Sequence, residues 1–490
     1  MNAPLGEKRT DSSRSPHSPY PWIWIAGLTA LAACLRMIGM NRELWWDEIY
    51  FLMISVRHPL VEIITIFPTD TQHPLYSILA KLAVLSLGEH PWTLRLPAVL
   101  FGIASVPALY LLAAFVTSRR EALLAAALLT ISYHHVWFSQ NARGYTMLAF
   151  WTLLATYFLL NGIQTGRRAP FLAYGVVVGL GVYTHLTMMF LVVSHVLICA
   201  GVILAEWRKG TGSRSWKYPL QGFLLAGAIT LLLYAPILTQ VQTFFVHQPS
   251  RMKAVSTPLW ALWETFRGLT LGFGTTAVLF GAGVLVAFGA WSYFKQNRLV
   301  FALFALPAVI TALGAVAARG TMYPRFYFSL IGFAILILIR GMIALPEWIG
   351  ARTRYPWFAT ALTAVLATGL LAASGISLLR NYRYPKQDFE SALHFVDSHK
   401  QDGETVATAG ATTYPMRNYY GRSWKSIETK GNLEEFCRQG RVVWLVYTFP
   451  RYLEAAVPGI TDVIRRQFQV VRVFPGTLGD GDLFVARFQP

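Results

Sequence analysis

Apolar residues in this chain recur in long uninterrupted runs, not in the alternation of a half-buried strand or the one-sided stripe of a surface helix. Runs approaching the roughly 20 residues needed to cross a hydrocarbon core of about 30 Å occupy 21–40, 94–117, 121–139, 144–161, 171–184, 186–204, 217–239, 275–293, 299–317, 326–345 and 356–378. The pattern predicts a polytopic α-helical membrane protein with about eleven transmembrane helices, within a range of about ten to thirteen. The run at 171–184 is the shortest. A further apolar segment, 74–88, is short and contains Lys81. It is expected to lie on the membrane surface or to re-enter it, because a crossing there would move every later basic tract to the other side.

Beyond about residue 380 the pattern changes. The runs ETVATAG (404–410), RVVWLVYTF (441–449), QVVRVF (469–474) and LFVARF (483–488) read as strands, with helices expected near 386–400 and 461–468. A small soluble α/β domain over 381–490 is therefore predicted after a membrane domain over 21–380. It lacks a glycine-rich nucleotide loop. Residues 1–20 are polar and rich in Ser and Pro, the composition of a disordered tail.

Charge adds orientation. The formal charge is +18, from 42 Lys and Arg against 24 Asp and Glu. The basic residues gather in short tracts: Arg119-Arg120, Arg167-Arg168, Arg208 to Lys217, Lys295 with Arg298, and Arg352 with Arg354. Such tracts fit cytoplasmic loops and anionic lipid headgroups and argue against a nucleic-acid partner. They place the N-terminus in the cytoplasm, and the segments 41–93, 240–274 and 318–325 on the outer side with the C-terminal domain. A possible amphipathic helix around 258–270 belongs to that outer layer. Cys34, Cys199 and Cys437 have no metal-ligand or disulfide spacing, and the first two read as buried apolar residues.

Candidate chemistry concentrates on the outer side. Asp47 and Glu48 lie in LWWDEIYF, just after the first span, where an apolar setting suits a carboxylate to accepting a proton; the alternative is an interfacial acidic pair. Asp70, Gln72 and His73 occur in FPTDTQHPLY, and Asn141, Arg143 and Tyr145 in SQNARGYTMLAF. An arginine at the hydrocarbon boundary needs water, a lipid phosphate or an acid, although snorkelling to the headgroups also satisfies it. His185 interrupts an outer turn, and Arg319 and Arg325 flank another, where a planar guanidinium suits phosphate. Asp47, Glu48 and His73 offer three ligands for a hard cation, but a flexible loop separates them and no metal site is assigned.

In order and topology the chain resembles the bacterial GT-C membrane glycosyltransferases related to protein O-mannosyltransferases and aminoarabinose transferases. The resemblance rests on Asp47-Glu48, His73-Pro74-Leu75-Tyr76, the run Leu94-Arg95-Leu96-Pro97-Ala98 to Tyr110, Asn141-Ala142-Arg143-Gly144-Tyr145, and Arg325-Phe326. It departs from many relatives in the single proline after His73 and in phenylalanine after Arg325. It implies a polyprenyl-phosphate sugar donor, inversion at the anomeric carbon, and reaction at the outer face of a bacterial inner membrane. The acceptor is then a lipid, a glycan or an exported protein. Under this resemblance Asp47 is the expected base, assisted by Glu48. Arg143, Arg325 and His73 are expected on the donor phosphate, with Asp70, Gln72, Tyr76, Asn141, Tyr145, His185 and Arg319 as further substrate contacts. No cofactor is expected, and a divalent cation is left open. A transporter or flippase of lipid-linked saccharides is the competing class, against which stands the lack of paired internal repeats. A polysaccharide polymerase or lipid-linked ligase is the closer alternative.

Overall fold

The computed structural model describes residues 21–69, 72–210, 216–246, 258–273, 275–317, 324–355 and 357–490. Asp70, Arg319 and the tail over 1–20 lie outside the described residues.

Helices form at each of the expected membrane positions, but not all are long enough to cross by themselves. Among the described residues, seven are long and apolar enough: Pro91–Val116, Tyr145–Thr165, Met188–Arg208, Lys217–Phe244, Thr276–Gln296, Pro324–Gly350 and Trp357–Arg383. The pair Arg119–Ile131 and Tyr133–Ser139, bent by 55°, makes an eighth if it is one span. Three expected spans fall short: Pro21–Met37 and Arg168–Thr184 have 17 residues each, and Arg298–Gly314 is also a short apolar helix. At 1.5 Å per residue, 17 residues reach about 25 Å. The expected count of eleven is thus reached only if these short helices also cross. The 74–88 segment forms the 14-residue helix Pro74–Leu87, started by a proline whose missing N–H costs nothing in the first turn.

The bend near Ser132 has an identifiable support. Breaking a helix frees carbonyls that lipid cannot satisfy. Arg36, fully buried, donates to the carbonyls of Leu129 (3.2 Å) and Thr130 (3.1 Å) and to Ser139 Oγ (3.2 Å). Elsewhere the helices approach backbone to backbone through glycine. A Cβ on Gly289 would run into the Ile337 carbonyl, and one on Gly341 into the Leu285 carbonyl, where Thr276–Gln296 crosses Ile331–Gly350. Small residues permit such close crossings in membranes. Cys199 is buried as expected, whereas Cys34 is exposed on its helix, so it packs against no protein core.

The segments between the long helices meet. The chain after the first helix forms Trp46–Phe51, a π-helical turn Leu52–Val56, and Leu60–Thr65 before the Pro74–Leu87 helix. Gln240 ties this region to the next outer segment by accepting from Phe67 N (2.9 Å) and donating to Thr65 O (2.7 Å). The helix expected around 258–270 appears as Pro258–Phe273 and receives His134 at the Gly268 carbonyl (2.9 Å).

The C-terminal region contains a five-stranded sheet of β1 (Thr405–Ala409), β2 (Lys425–Ile427), β3 (Val443–Thr448), β4 (Gln469–Phe474) and β5 (Leu483–Phe488). Its order is β2-β1-β3-β5-β4, with β1 parallel to β2 and β3, and β5 antiparallel to β3 and β4. Helices Phe389–His399 and Ile460–Gln467 form where expected. Strand β2 and the helix Lys430–Arg438 were not expected. A three-residue strand leaves no readable alternation, and the helix, rich in charged and polar residues, lacks a long apolar stripe.

Candidate active site

Adjacent residues on a helix project about 100° apart, so the short helix Trp46–Phe51 sends the two carboxylates in different directions. Glu48 turns inward and is wholly buried. Arg95 grips it with Nε to Oε1 at 2.8 Å and Nη2 to Oε2 at 2.5 Å, and Ala142 N donates to Oε1 at 2.7 Å. The remaining Arg95 donors go to the carbonyls of Met40 (2.8 Å), Arg42 (2.9 Å) and Glu43 (2.9 Å). Burial alone would push the Glu48 carboxyl up, but the Arg95 charge and hydrogen bonds, with Lys386 and the Ala142 amide, outweigh it and hold the group ionised below its ordinary range. This carboxylate joins the Trp46–Phe51 turn to the Ala142 loop through Arg95 and the Ala142 amide.

Asp47 faces the other way and retains a small exposure. Two arginines from distant parts of the chain reach its Oδ2: Arg143 Nη2 at 3.3 Å and Arg325 Nη1 at 3.1 Å. Arg143 stands in a tight turn in which its N–H donates to Asn141 O (2.6 Å), just before the Tyr145–Thr165 helix. Gly144 follows because a Cβ there would meet His73 Nδ1 at 2.9 Å and Thr184 Cγ2 at 3.0 Å. Arg325 lies on the 3-10 segment Pro324–Leu330 that leads into Ile331–Gly350.

Two histidines complete the cluster. The His73 ring lies 4.6 Å from the His185 ring and 5.1 Å from the Tyr145 ring, centroid to centroid. His185 Nδ1 pairs with Thr187 Oγ1 at 2.7 Å, whereas both His73 ring nitrogens are buried without a hydrogen-bond partner. Burial first, then the neighbouring Arg325 and Arg143 charges, lowers His185 to about 3. Burial, His185 and the same two arginines push His73 well below the ordinary imidazole range. Both rings are neutral at pH 7, so each offers one N–H and one lone pair.

Three other expected contacts bond to neighbouring groups. Asn141 Oδ1 accepts from Trp45 Nε1 (3.2 Å), and Tyr76 donates to the Leu94 carbonyl (2.9 Å). Gln72 donates to the carbonyls of Ile63 and Ile66, both at 3.3 Å. Asp47, Glu48 and His73 do not converge as cation ligands: Glu48 faces Arg95, and among the described residues no three His, Cys, Asp or Glu side chains gather to hold a metal.

Sequence reasoning missed the role of Arg95, although an arginine inside an apolar run requires a buried acceptor. It also missed Lys386 and Gln387. Lys386 Nζ donates to Gln140 O at 2.5 Å, and Gln387 Oε1 accepts from Trp46 N at 3.0 Å. Nothing local to either residue signals those contacts.

Comparisons with known proteins agree with this architecture. Residues 71–239 match the family model described as dolichyl-phosphate-mannose-protein mannosyltransferase. YkcB of Bacillus subtilis (strain 168), which carries a provisional mannosyltransferase name, is 27% identical over 132 residues. That match spans 27% of this chain and 18% of YkcB. ArnT from Cupriavidus metallidurans, solved bound to undecaprenyl phosphate, superposes with a TM-score of 0.53 at 15% identity, covering 95% of this chain and 98% of that one. The archaeal oligosaccharyltransferase AglB from Archaeoglobus fulgidus, solved with an inhibitory peptide and a dolichol-phosphate, gives 0.50 at 14% identity over 94% and 74% of the two chains.

Proposed function

We propose that this chain, whose fold is GT-C-like and which resembles the protein mannosyltransferase and ArnT group, is an inverting glycosyltransferase that uses a polyprenyl-phosphate sugar at the outer face of a bacterial inner membrane. The observation that carries this reading is the convergence of Arg143 and Arg325 on one oxygen of Asp47. Two guanidiniums meeting at one carboxylate oxygen offer planar donor pairs that suit the phosphate of a lipid-linked donor. Neutral His73, with its unpartnered ring nitrogens, stands ready to give that phosphate an N–H.

On this reading the acceptor O–H attacks the anomeric carbon, its proton passes to Asp47, and the bond from that carbon to the phosphate oxygen breaks. The products are the glycosylated acceptor and the polyprenyl phosphate. Donor phosphate competes with Asp47 for the two arginines, so binding the donor frees the carboxylate to act as base. The same arginines then neutralise the leaving phosphate, which lowers the barrier by positioning and electrostatics without a covalent enzyme intermediate. Support for the donor class comes from the two solved neighbours that hold undecaprenyl phosphate and dolichol-phosphate. The acceptor is an extracytoplasmic hydroxyl in an envelope lipid, glycan or protein, and the N-terminus is cytoplasmic.

The test is transfer from defined undecaprenyl-phosphate sugars by the purified protein, with the lipid-linked material that co-purifies identified by mass spectrometry. Asp47→Asn, with a cooperative thermal melt showing that it folds, is expected to lower turnover at least about 100-fold. Full activity in that variant would remove Asp47 as the base, and lipid translocation without glycosyl transfer would replace the reading by a flippase.

A further inference from the structure

Between the last membrane helix, Trp357–Arg383, and the first helix of the C-terminal region, Phe389–His399, runs a connector that touches both carriers of the proposed reactive groups. On one side Lys386 Nζ donates to Gln140 O (2.5 Å), and Asn381 Nδ2 donates to Gln140 Oε1 (2.8 Å), three residues before Arg143. On the other side Gln387 Oε1 accepts the N–H of Trp46 (3.0 Å), the residue before Asp47. The same Gln387 side chain donates through Nε2 to Thr448 Oγ1 (3.3 Å) at the end of β3.

These contacts are not loose surface pairs. Gln387 is fully buried and Lys386 nearly so. The Lys386 ammonium also lies over the Trp137 ring, 5.2 Å from its centroid. Thr477 and Leu478 fasten the connector from behind, their N–H groups donating to the carbonyls of Pro385 (2.8 Å) and Lys386 (3.3 Å). Gly476 permits this approach, since a Cβ there would strike the Lys386 carbonyl. The loop between β4 and β5 thus holds the connector against the membrane domain.

We propose that Lys386 and Gln387 are positioning residues that set the separation of Asp47 from Arg143, so that seating of the C-terminal sheet governs the geometry of the site. The proposal rests on the functional reading above for its catalytic consequence, but not for its structural one. Hydrogen bonds at Trp46 and Gln140 fix the two backbones from a common body, beside the direct Trp45–Asn141 and Glu48–Ala142 bonds between the loops. A misplacement of about 1 Å between reacting groups is enough to lower turnover by about 100-fold.

The experiment uses the full-length protein in detergent and compares wild type with Lys386→Met, Lys386→Arg and the double variant Lys386→Met/Gln387→Ala. Amide hydrogen exchange in peptides covering 44–52 and 138–146 is expected to quicken at least about tenfold in the double variant, while the peptide covering β3 keeps its protection. In the transfer assay Lys386→Met is expected to lose at least about tenfold in kcat with the donor KM within about twofold, and Lys386→Arg, which keeps the charged donor, to recover most of it. Wild-type exchange in both loops of the double variant would overturn the proposal, as would faster exchange confined to the sheet. Absence of transfer by the wild type with every donor would defeat the functional reading instead, and the exchange result would still decide whether the connector positions the two loops.

Discussion

At the scale of single residues, adjacent acids have opposite energetic situations. Glu48 and Arg95 form a buried pair whose donors and acceptors are satisfied, and removing one member leaves an uncompensated charge. Arg95→Met is therefore expected to cost about 3–5 kcal/mol of stability, read as a lowered midpoint in a detergent thermal melt. Asp47→Asn, which leaves Arg143 and Arg325 without their shared carboxylate, is expected to lower that midpoint by less, because Arg325 keeps partial access to water. Glu43 supplies a pH signature. Burial first, and then the Asp388 and Glu390 carboxyls, raises it from 4.5 to about 9, against the opposing Glu390 N–H bond of 2.9 Å. The folded state binds the extra proton between those values, so this contribution to stability is full below about pH 4.5 and is lost as pH rises through about 9. The difference in midpoint, Glu43→Gln minus wild type, should grow more positive across that window. Taking the difference cancels other titrating groups, such as Lys386, which burial lowers to about 7 with Glu48 opposing. A flat difference would contradict the assignment.

At the scale of elements, long apolar runs specify helices well and specify their ends and bends poorly. The break at Ser132 was invisible in the run 121–139 because the residue that sustains it, Arg36, is remote in sequence. The close crossing of Thr276–Gln296 with Ile331–Gly350 depends on Gly289 and Gly341, each facing backbone where a side chain has no room. Gly341→Leu is expected to push these helices apart and lower the thermal midpoint, since even modest overpacking costs about 1–3 kcal/mol. The same substitution at Gly283, where a Cβ meets nothing within 4 Å, serves as the control. Equal midpoints in the two variants would show that the crossing tolerates a side chain.

At the scale of the whole molecule, the order of apolar runs and the switch to strands after about residue 380 were legible in the sequence because each is a local pattern. Asp47, Arg143 and Arg325 could be named individually from their boundary positions, but their convergence on one carboxylate oxygen is a property of helix packing. The opposite fate of Glu48 was illegible for the same reason: its partner lies in the next long helix. The connector at Lys386 and Gln387 carries no composition bias at all. The sheet carries one more consequence, in time instead of space. Strand β5 is translated after β4 yet lies between β3 and β4, so β4 has no neighbour to pair with until β5 has been synthesised. The strand that ends as the outermost one must wait for the segment that will attach it.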